Sequence, residues 1–172
     1  QVYDLGCGYG FLSYYLHLKD KKRQITAIDY DDDKISVAAN CYLKSSSVLF
    51  KAEDLNACKI EAADVIVLSD VLHYLQPENQ LALLNKCIEN LQNDGLILLK
   101  DGFEENQEKH SWTLKSERWS TQWLKFNKTS NSLSFLSMKF IEDWAKTNHL
   151  EVTQLNQSSN SSNSLLLLKR AD

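Results

Sequence analysis

Gln1-Val2-Tyr3-Asp4-Leu5-Gly6-Cys7-Gly8-Tyr9-Gly10 opens the chain and decides its fold. A short apolar strand runs into three glycines spaced one residue apart, with an acid two residues before the first. Glycine reaches positive φ at little cost and has no Cβ to hold a ligand away from the backbone. The loop then opens a helix at Phe11, so unpaired N–H groups point at the same place. A backbone built this way lies against a nucleotide-like cofactor. The strand begins at residue 1, with no initiator Met, which suits a domain excised from a longer chain.

The chain has 172 residues, enough for one domain with a single core. Apolar residues make up 43%, the usual share for a globular protein. The formal charge of −4 offers no broad basic surface, so nucleic acid is not the expected partner. No apolar run approaches the roughly 20 residues of a membrane helix. Cys7, Cys41, Cys58 and Cys87 form no C-x-x-C pair and do not sit at zinc-ligand spacing with a His. They read as free thiols in a reducing, cytoplasmic setting, or on the cytoplasmic side of a larger membrane-associated chain.

Strand and helix signals alternate from the glycine loop onward. Val2–Leu5 reads as a first strand. Phe11–Leu18 reads as a helix with Phe11, Leu12, Tyr15, Leu16 and Leu18 available for one face. Ile25–Ile28 follows as a strand ending in Asp29. Asp31-Asp32-Asp33 then starts a helix to about residue 44, its inner face formed by Ile35, Ala38, Ala39 and Tyr42. Val48–Lys51 is a third strand. The uninterrupted apolar run Val65–Leu68 suits a central parallel strand covered on both faces. Pro77 starts a helix with Leu81, Leu84, Cys87, Ile88 and Leu91 in period, and Gly95 reads as its stop. Leu96–Leu99 is a fifth strand. Residues 104–134, with Trp112, Trp119, Trp123 and Phe126, are too long for a plain connection and read as a lid-like insert. Ser137 caps a helix carrying Phe140, Ile141, Trp144 and Ala145. Leu150–Leu155 and Ser164–Leu168 close the chain as two strands around an Asn/Ser-rich loop. The expected fold is α/β: a doubly wound, Rossmann-like, mostly parallel seven-stranded sheet with an antiparallel C-terminal hairpin. Ligands of such sheets bind beyond the carboxyl ends of the strands. The glycine loop, Asp29, Asp54 and Asp70 each follow a strand, so all four are expected along one edge.

Asp29 lies 19 residues beyond Gly10, where a carboxylate accepts from ribose hydroxyls. The dinucleotide pattern G-x-G-x-x-G needs glycine at position 11, and Phe11 stands there. Asp4-x-Gly6-x-Gly8-x-Gly10 instead resembles motif I of class I S-adenosylmethionine-dependent methyltransferases. Ala27-Ile28-Asp29-Tyr30 is similar to that family's ribose motif, and Ala52-Glu53-Asp54-Leu55 to its adenine motif. Ser69-Asp70-Val71-Leu72-His73-Tyr74-Leu75 resembles its strand-four motif, and Asp94-Gly95-Leu96-Ile97-Leu98-Leu99 its run into strand five. The resemblance covers the chain outside the insert.

It implies S-adenosylmethionine as cofactor. Asp4 and the Gly6–Gly10 backbone, Cys7 and Gly8 included, would hold its methionine end, and Asp29 its ribose. Tyr30 would lie against the adenine, or be a plain surface aromatic. Asp54 would accept from the adenine amino group, with Glu53 as the competing acid, and the Leu55 N–H would read a ring nitrogen. Ser69 and Asp70 would lie near the sulfur. The helices that usually precede strand one in the family are absent from this chain. No cluster of metal-ligating carboxylates is evident.

Methyl transfer needs donor and acceptor in line, and a base only where the acceptor must lose a proton. His73, just past strand four, is the candidate base; the plainer reading, a histidine packed against the sheet, is the commoner one. His110 is a second candidate, and His17 and His149 read as surface residues. The tryptophans of the insert suggest an apolar or aromatic acceptor, small-molecule or lipid-like, with Lys115, Arg118 and Lys125 near an acidic group, or else simply pack a lid. Two other readings stand beside methyl transfer: a nicotinamide-dependent oxidoreductase, and a non-catalytic cofactor-binding module, with fusion to other domains fitting any of them.

Overall fold

A computed structural model of the chain describes residues 1–107, 133–155 and 163–171. The elements in order are β1 (Val2–Leu5), α1 (Phe11–Lys19), β2 (Ile25–Asp29), α2 (Asp32–Ala39), β3 (Val48–Ala52), β4 (Ala63–Ser69), a 3-10 turn (Leu72–Tyr74), α3 (Pro77–Glu89), β5 (Leu91–Gly102), α4 (Glu104–Gln107), α5 (Met138–Thr147), β6 (Leu150–Gln154) and β7 (Asn163–Arg170). The strands form one sheet in the order β3-β2-β1-β4-β5-β7-β6. β1 to β5 are parallel; β7 inserts antiparallel between β5 and β6. The Rossmann-like α/β sheet with its antiparallel C-terminal hairpin is as the sequence predicts.

The centre of the sheet is dry because its strands alternate between two helical layers. On one face Ile66, Leu68, Ile97 and Leu99 pack with Leu83, Leu84 and Cys87 of α3 and Ile141, Trp144 and Ala145 of α5. On the other, Val2, Ile25, Val48 and Val67 pack with Tyr14 of α1. The capping signals act as read. Pro77 starts α3, and the Ser137 hydroxyl accepts from Phe140 N at 3.1 Å. Asp31 is the N-cap of α2, accepting from the N–H of Asp33 and Lys34.

Several local expectations are corrected. α1 buries Ser13, Tyr14 and His17, while Phe11, Tyr15 and Leu18 are exposed. The glycine loop sets the rotation of this helix, and its most apolar face is therefore not its inner one. His17 is accordingly buried rather than on the surface; His149 is exposed, at φ 54°. α2 ends at Ala39, and Ala39 and Tyr42 are exposed. In α3 the fully buried Gln80 takes an inner position and Leu81 is exposed. Gly95 is no helix stop. α3 ends at Glu89, Leu91 already belongs to β5, and a Cβ at Gly95 would stand 2.8 Å from the Leu91 side chain and 2.9 Å from Gln92 O. Glycine is needed there for a tight bend inside a strand. Most of the lid-like insert, with His110 and its tryptophans, lies outside the described residues, as does most of the Asn/Ser-rich loop.

Candidate cofactor and active site

Parallel register brings the ends of β1, β2, β3 and β4 to one edge. Leu5 pairs with Ile28 and Leu68, and Asp29 with Ala52. The chain leaves β1 through Gly6, Gly8 and Gly10, at φ 78°, 54° and 72°. This left-handed backbone costs an L-residue about 1–2 kcal/mol each time. The three glycines differ in what surrounds them. A Cβ on Gly6 would lie 2.5 Å from Val71 Cγ2, and one on Gly10 2.4 Å from Phe50 Cε1. Around Gly8 nothing stands within 4 Å of that position. The outer glycines are therefore fixed by the protein, while the middle one has open space on its Cβ side.

Two carboxylates flank this loop. Asp4, 2% exposed, accepts a hydrogen bond from the Ser13 hydroxyl of α1. Burial first, and the nearby Asp29 charge, push its pKa up to about 6 although the Ser13 bond lowers it. Asp29 is 6% exposed; its Oδ2 accepts from Gly8 N at 2.8 Å and its Oδ1 from Asp31 N at 3.0 Å. Each Asp29 oxygen keeps a lone pair for a further donor. Cys7 stands between the two acids. Burial, then the charges of Asp4 and Asp29, raise its thiol well above the usual range, with Lys34 opposing weakly, which favours the neutral thiol. The two carboxylates beside the loop favour a cationic group there.

The remaining expected residues follow along the edge. Tyr30 is 41% exposed directly after Asp29. Glu53 N donates to Asp29 O at 3.0 Å, locking the end of β3 to β2. Asp54 is exposed, its Oδ1 accepting from Asn56 N and Nδ2, both at 2.9 Å; the Leu55 side chain is buried in the core. Ser69 donates to Asp70 Oδ2 at 3.2 Å. Asp70 itself adopts φ 56°, the strained left-handed region, at the end of β4. Lys100 of β5 and Asn163 of β7 both donate to its carboxylate.

His73 lies in the 3-10 turn, mostly buried. Its Nδ1 is hydrogen-bonded to Asp101 Oδ1, while Asp101 Oδ2 accepts from Leu72 N at 2.9 Å. The ring lies 4.1 Å from that of Tyr74 and stacks on Phe135 at 5.5 Å and 14°. Gln80 Nε2 bridges Leu72 O and Ser134 O at 2.9 and 2.7 Å, tying the turn to the segment that carries Phe135. Asp101, 2% exposed, is the main residue that sequence reading misses. It stands near the end of β5, and the strand-end logic used for Asp29, Asp54 and Asp70 would have found it there.

Residues 2–95, more than half of the chain, match a family described as "Methyltransferase domain". Carboxy-S-adenosyl-L-methionine synthase of Vibrio campbellii is 34% identical over 107 residues, covering 59% of this chain and 44% of its own. The enzyme of that name from Shewanella piezotolerans is 29% identical over 119 residues, covering 66% and 49%. The chain thus spans about half the length of the curated relatives it matches. Among solved structures, human N-acetylserotonin methyltransferase in complex with SAM superposes with TM-score 0.72 at 16% identity, covering 99% of this chain and 47% of that one. Magnesium protoporphyrin IX methyltransferase of Synechocystis, with bound SAH, gives 0.72 at 16%, covering 99% and 73%. At such identities these structures speak for the fold alone. With the family match, the sheet order and the glycine loop between its carboxylates, the chain belongs to the class I S-adenosylmethionine-dependent methyltransferase domains.

Proposed function

We propose that this chain binds S-adenosylmethionine along the β1–β4 edge and transfers its methyl group to a small-molecule or lipid-like acceptor. The observation that carries the reading is the open Gly8 face of the loop, held between Asp4 and Asp29. The cofactor's amino-acid and sulfonium end carries net positive charge, which a loop with two carboxylates favours. An acid at the end of β2, as Asp29 is, serves a dinucleotide ribose equally well, so what weighs against the oxidoreductase reading is Phe11 in place of the third glycine.

The bound cofactor supplies a methyl carbon already activated by a sulfonium. The chain's own residues do the rest by position. Asp4 and the open Gly8 face of the loop hold the amino-acid end, the loop N–H groups of Gly6, Cys7, Gly8 and Gly10 being taken by Ile28 O, Asp29 and Cys7 O. Asp29 holds the ribose hydroxyls, and Asp54 with Leu55 the adenine edge. Tyr30 gives an exposed ring beside that site. Ser69 and Asp70 border the reacting end, with Lys100 and Asn163 fixing the Asp70 carboxylate. His73 serves as base where the acceptor is a hydroxyl or phenol. Asp101 on Nδ1 favours the tautomer whose Nε2 carries the lone pair, and the stacked rings hold the imidazole in place.

The test is binding followed by turnover. S-adenosylhomocysteine at 100 times its Kd should stabilise the protein by about 2.7 kcal/mol, and Asp29→Ala should abolish most of that shift. Absence of any shift at millimolar ligand would count against the proposal. Turnover is then read with methyl-labelled cofactor against hydroxylated, aromatic and lipid-like acceptors. Binding without label transfer to any class would favour the non-catalytic module. Because curated relatives are carboxy-S-adenosyl-L-methionine synthases, carboxy-S-adenosylmethionine belongs in the binding panel as an alternative ligand.

A further inference from the structure

Lys86 of α3 stands outside every motif, yet its ammonium donates to three carbonyls of one short turn. These are Leu55 O at 2.9 Å, Asn56 O at 3.0 Å and Cys58 O at 3.1 Å. An ammonium has three protons and no acceptor, so each proton has its own carbonyl. The turn is the one after β3 that carries Asp54 and Leu55. Its inner side is anchored by the buried Leu55 and Cys58 side chains. The Cys58 thiol also donates to Leu55 O at 3.4 Å.

Peptide planarity shows what the three contacts do. The Leu55 carbonyl and the Asn56 N–H share one rigid plane. Lys86 holds the carbonyl end of that plane, and the N–H end donates to Asp54 Oδ1 at 2.9 Å. The orientation of the Asp54 carboxylate is thereby set from α3. The preceding plane joins Asp54 O, which accepts from Ala57 and Cys58 N–H at 3.0 and 2.8 Å, to the Leu55 N–H. Asp54 Oδ2 and the Leu55 N–H have no hydrogen-bond partner among the described residues. They form one acceptor and one donor, the pair that the edge of an adenine requires.

We propose that Lys86 is a positioning residue for adenine recognition, acting through the turn rather than by touching the ligand. This rests on the cofactor reading given above. A staple needed only for folding would weaken all ligands alike, whereas a positioning residue sets the choice between purine edges. The test therefore uses S-adenosylhomocysteine and its inosine analogue, in which a carbonyl replaces the adenine amino group. Wild-type protein should prefer the adenine form by about tenfold or more, about 1.4 kcal/mol for each factor of ten. In Lys86→Met, which keeps the aliphatic stem, that ratio should fall to near one while the inosine analogue binds as before. Lys86→Gln, with an amide that reaches fewer carbonyls, should give an intermediate ratio, and decides the matter if the Met variant does not fold. An unchanged ratio, or equal weakening of both ligands, overturns the proposal. Wild-type protein that binds neither ligand overturns the cofactor reading itself. Wild-type protein that binds both equally overturns the adenine role of Asp54, and with it that of Lys86.

Discussion

Asp4 should make the ligand-free fold less stable as pH rises, and Asp4→Asn should remove that dependence. The carboxyl has an ordinary value of 3.8, raised in the fold to about 6, chiefly by burial. The native state therefore holds its proton more tightly than the unfolded chain does. The stabilisation tied to that proton is complete below about 3.8 and is lost as pH rises through about 6. A rise of about two units corresponds to about 3 kcal/mol. Linkage places roughly half of that, on the order of 1 kcal/mol, between pH 5 and pH 8. Asn keeps an oxygen for the Ser13 hydroxyl but cannot ionise. Whatever fixed cost its amide carries is the same at every pH. The assay is urea unfolding of both proteins at pH 5, 6, 7 and 8, compared at equal m-values. The difference should drift steadily in favour of Asp4→Asn as pH rises. A difference that is flat with pH, or drifts the other way, refutes the reasoning. The ligand should act oppositely: a bound ammonium near Asp4 favours its charged form. At pH 6 binding to wild-type protein should then release up to about half a proton, measurable by calorimetry in buffers of different ionisation heat. Asp4→Asn should release none from this site.

The loop glycines should separate folding from binding. Gly10→Ala meets the Phe50 ring at 2.4 Å and should destabilise the fold by on the order of 3 kcal/mol in urea titration. Gly8→Ala meets nothing, so it should cost only about 1–2 kcal/mol for its backbone angle, while calorimetry shows loss of S-adenosylhomocysteine affinity. His73→Asn should slow methylation of a hydroxyl acceptor by about 10²–10⁴ and leave the cofactor's Kd unchanged; unchanged turnover would return His73 to a packing role. Cys7, raised by burial and two acids, should react with iodoacetamide at pH 8 at least about tenfold more slowly than in the unfolded chain, as mass spectrometry of the labelled peptide would show.

The fold was legible because its signals are local and repeated. An uninterrupted apolar run marked β4, acids marked strand ends, and Asp31, Pro77 and Ser137 marked helix starts. The gathering of the glycine loop, Asp29, Asp54 and Asp70 at one edge was legible for the same reason, since residues that follow parallel strands must meet there whatever the loops do. What escaped were relations between distant residues. Nothing local distinguishes His17 as buried, because the rotation of α1 is set by left-handed glycines about two turns earlier. Gly95 carries the same letter whether it ends a helix or bends a strand, and only its approach to Leu91 and Gln92 O decides. Asp101 joins His73 across 28 residues, and Lys86 reaches Leu55 across 31; neither pairing has a periodic signature.

The two ends of the cofactor edge are held by different layers, and this makes their failures separable. On the proposed reading, the amino-acid and ribose end depends on Asp4 bonded to Ser13 of α1 and on Asp29 bonded to the Gly8 and Asp31 N–H groups. All of these lie on the α1–α2 side of the chain's opening β-α-β-α run. The adenine end depends on a turn whose carbonyls are held by α3, which packs on the opposite face with Ile66, Leu68, Ile97 and Leu99. Among the described residues, the sheet joins the two. Damage to one anchor should therefore lower affinity through its own part of the ligand and leave the other part's contribution intact. A double variant such as Asp29→Ala with Lys86→Met should then show additive losses of binding free energy to within about 0.5 kcal/mol, as for sites without shared partners. A larger coupling would mean that β2 and β3, joined by the Glu53 N to Asp29 O bond, transmit strain between the anchors. The separation of layers would then not hold.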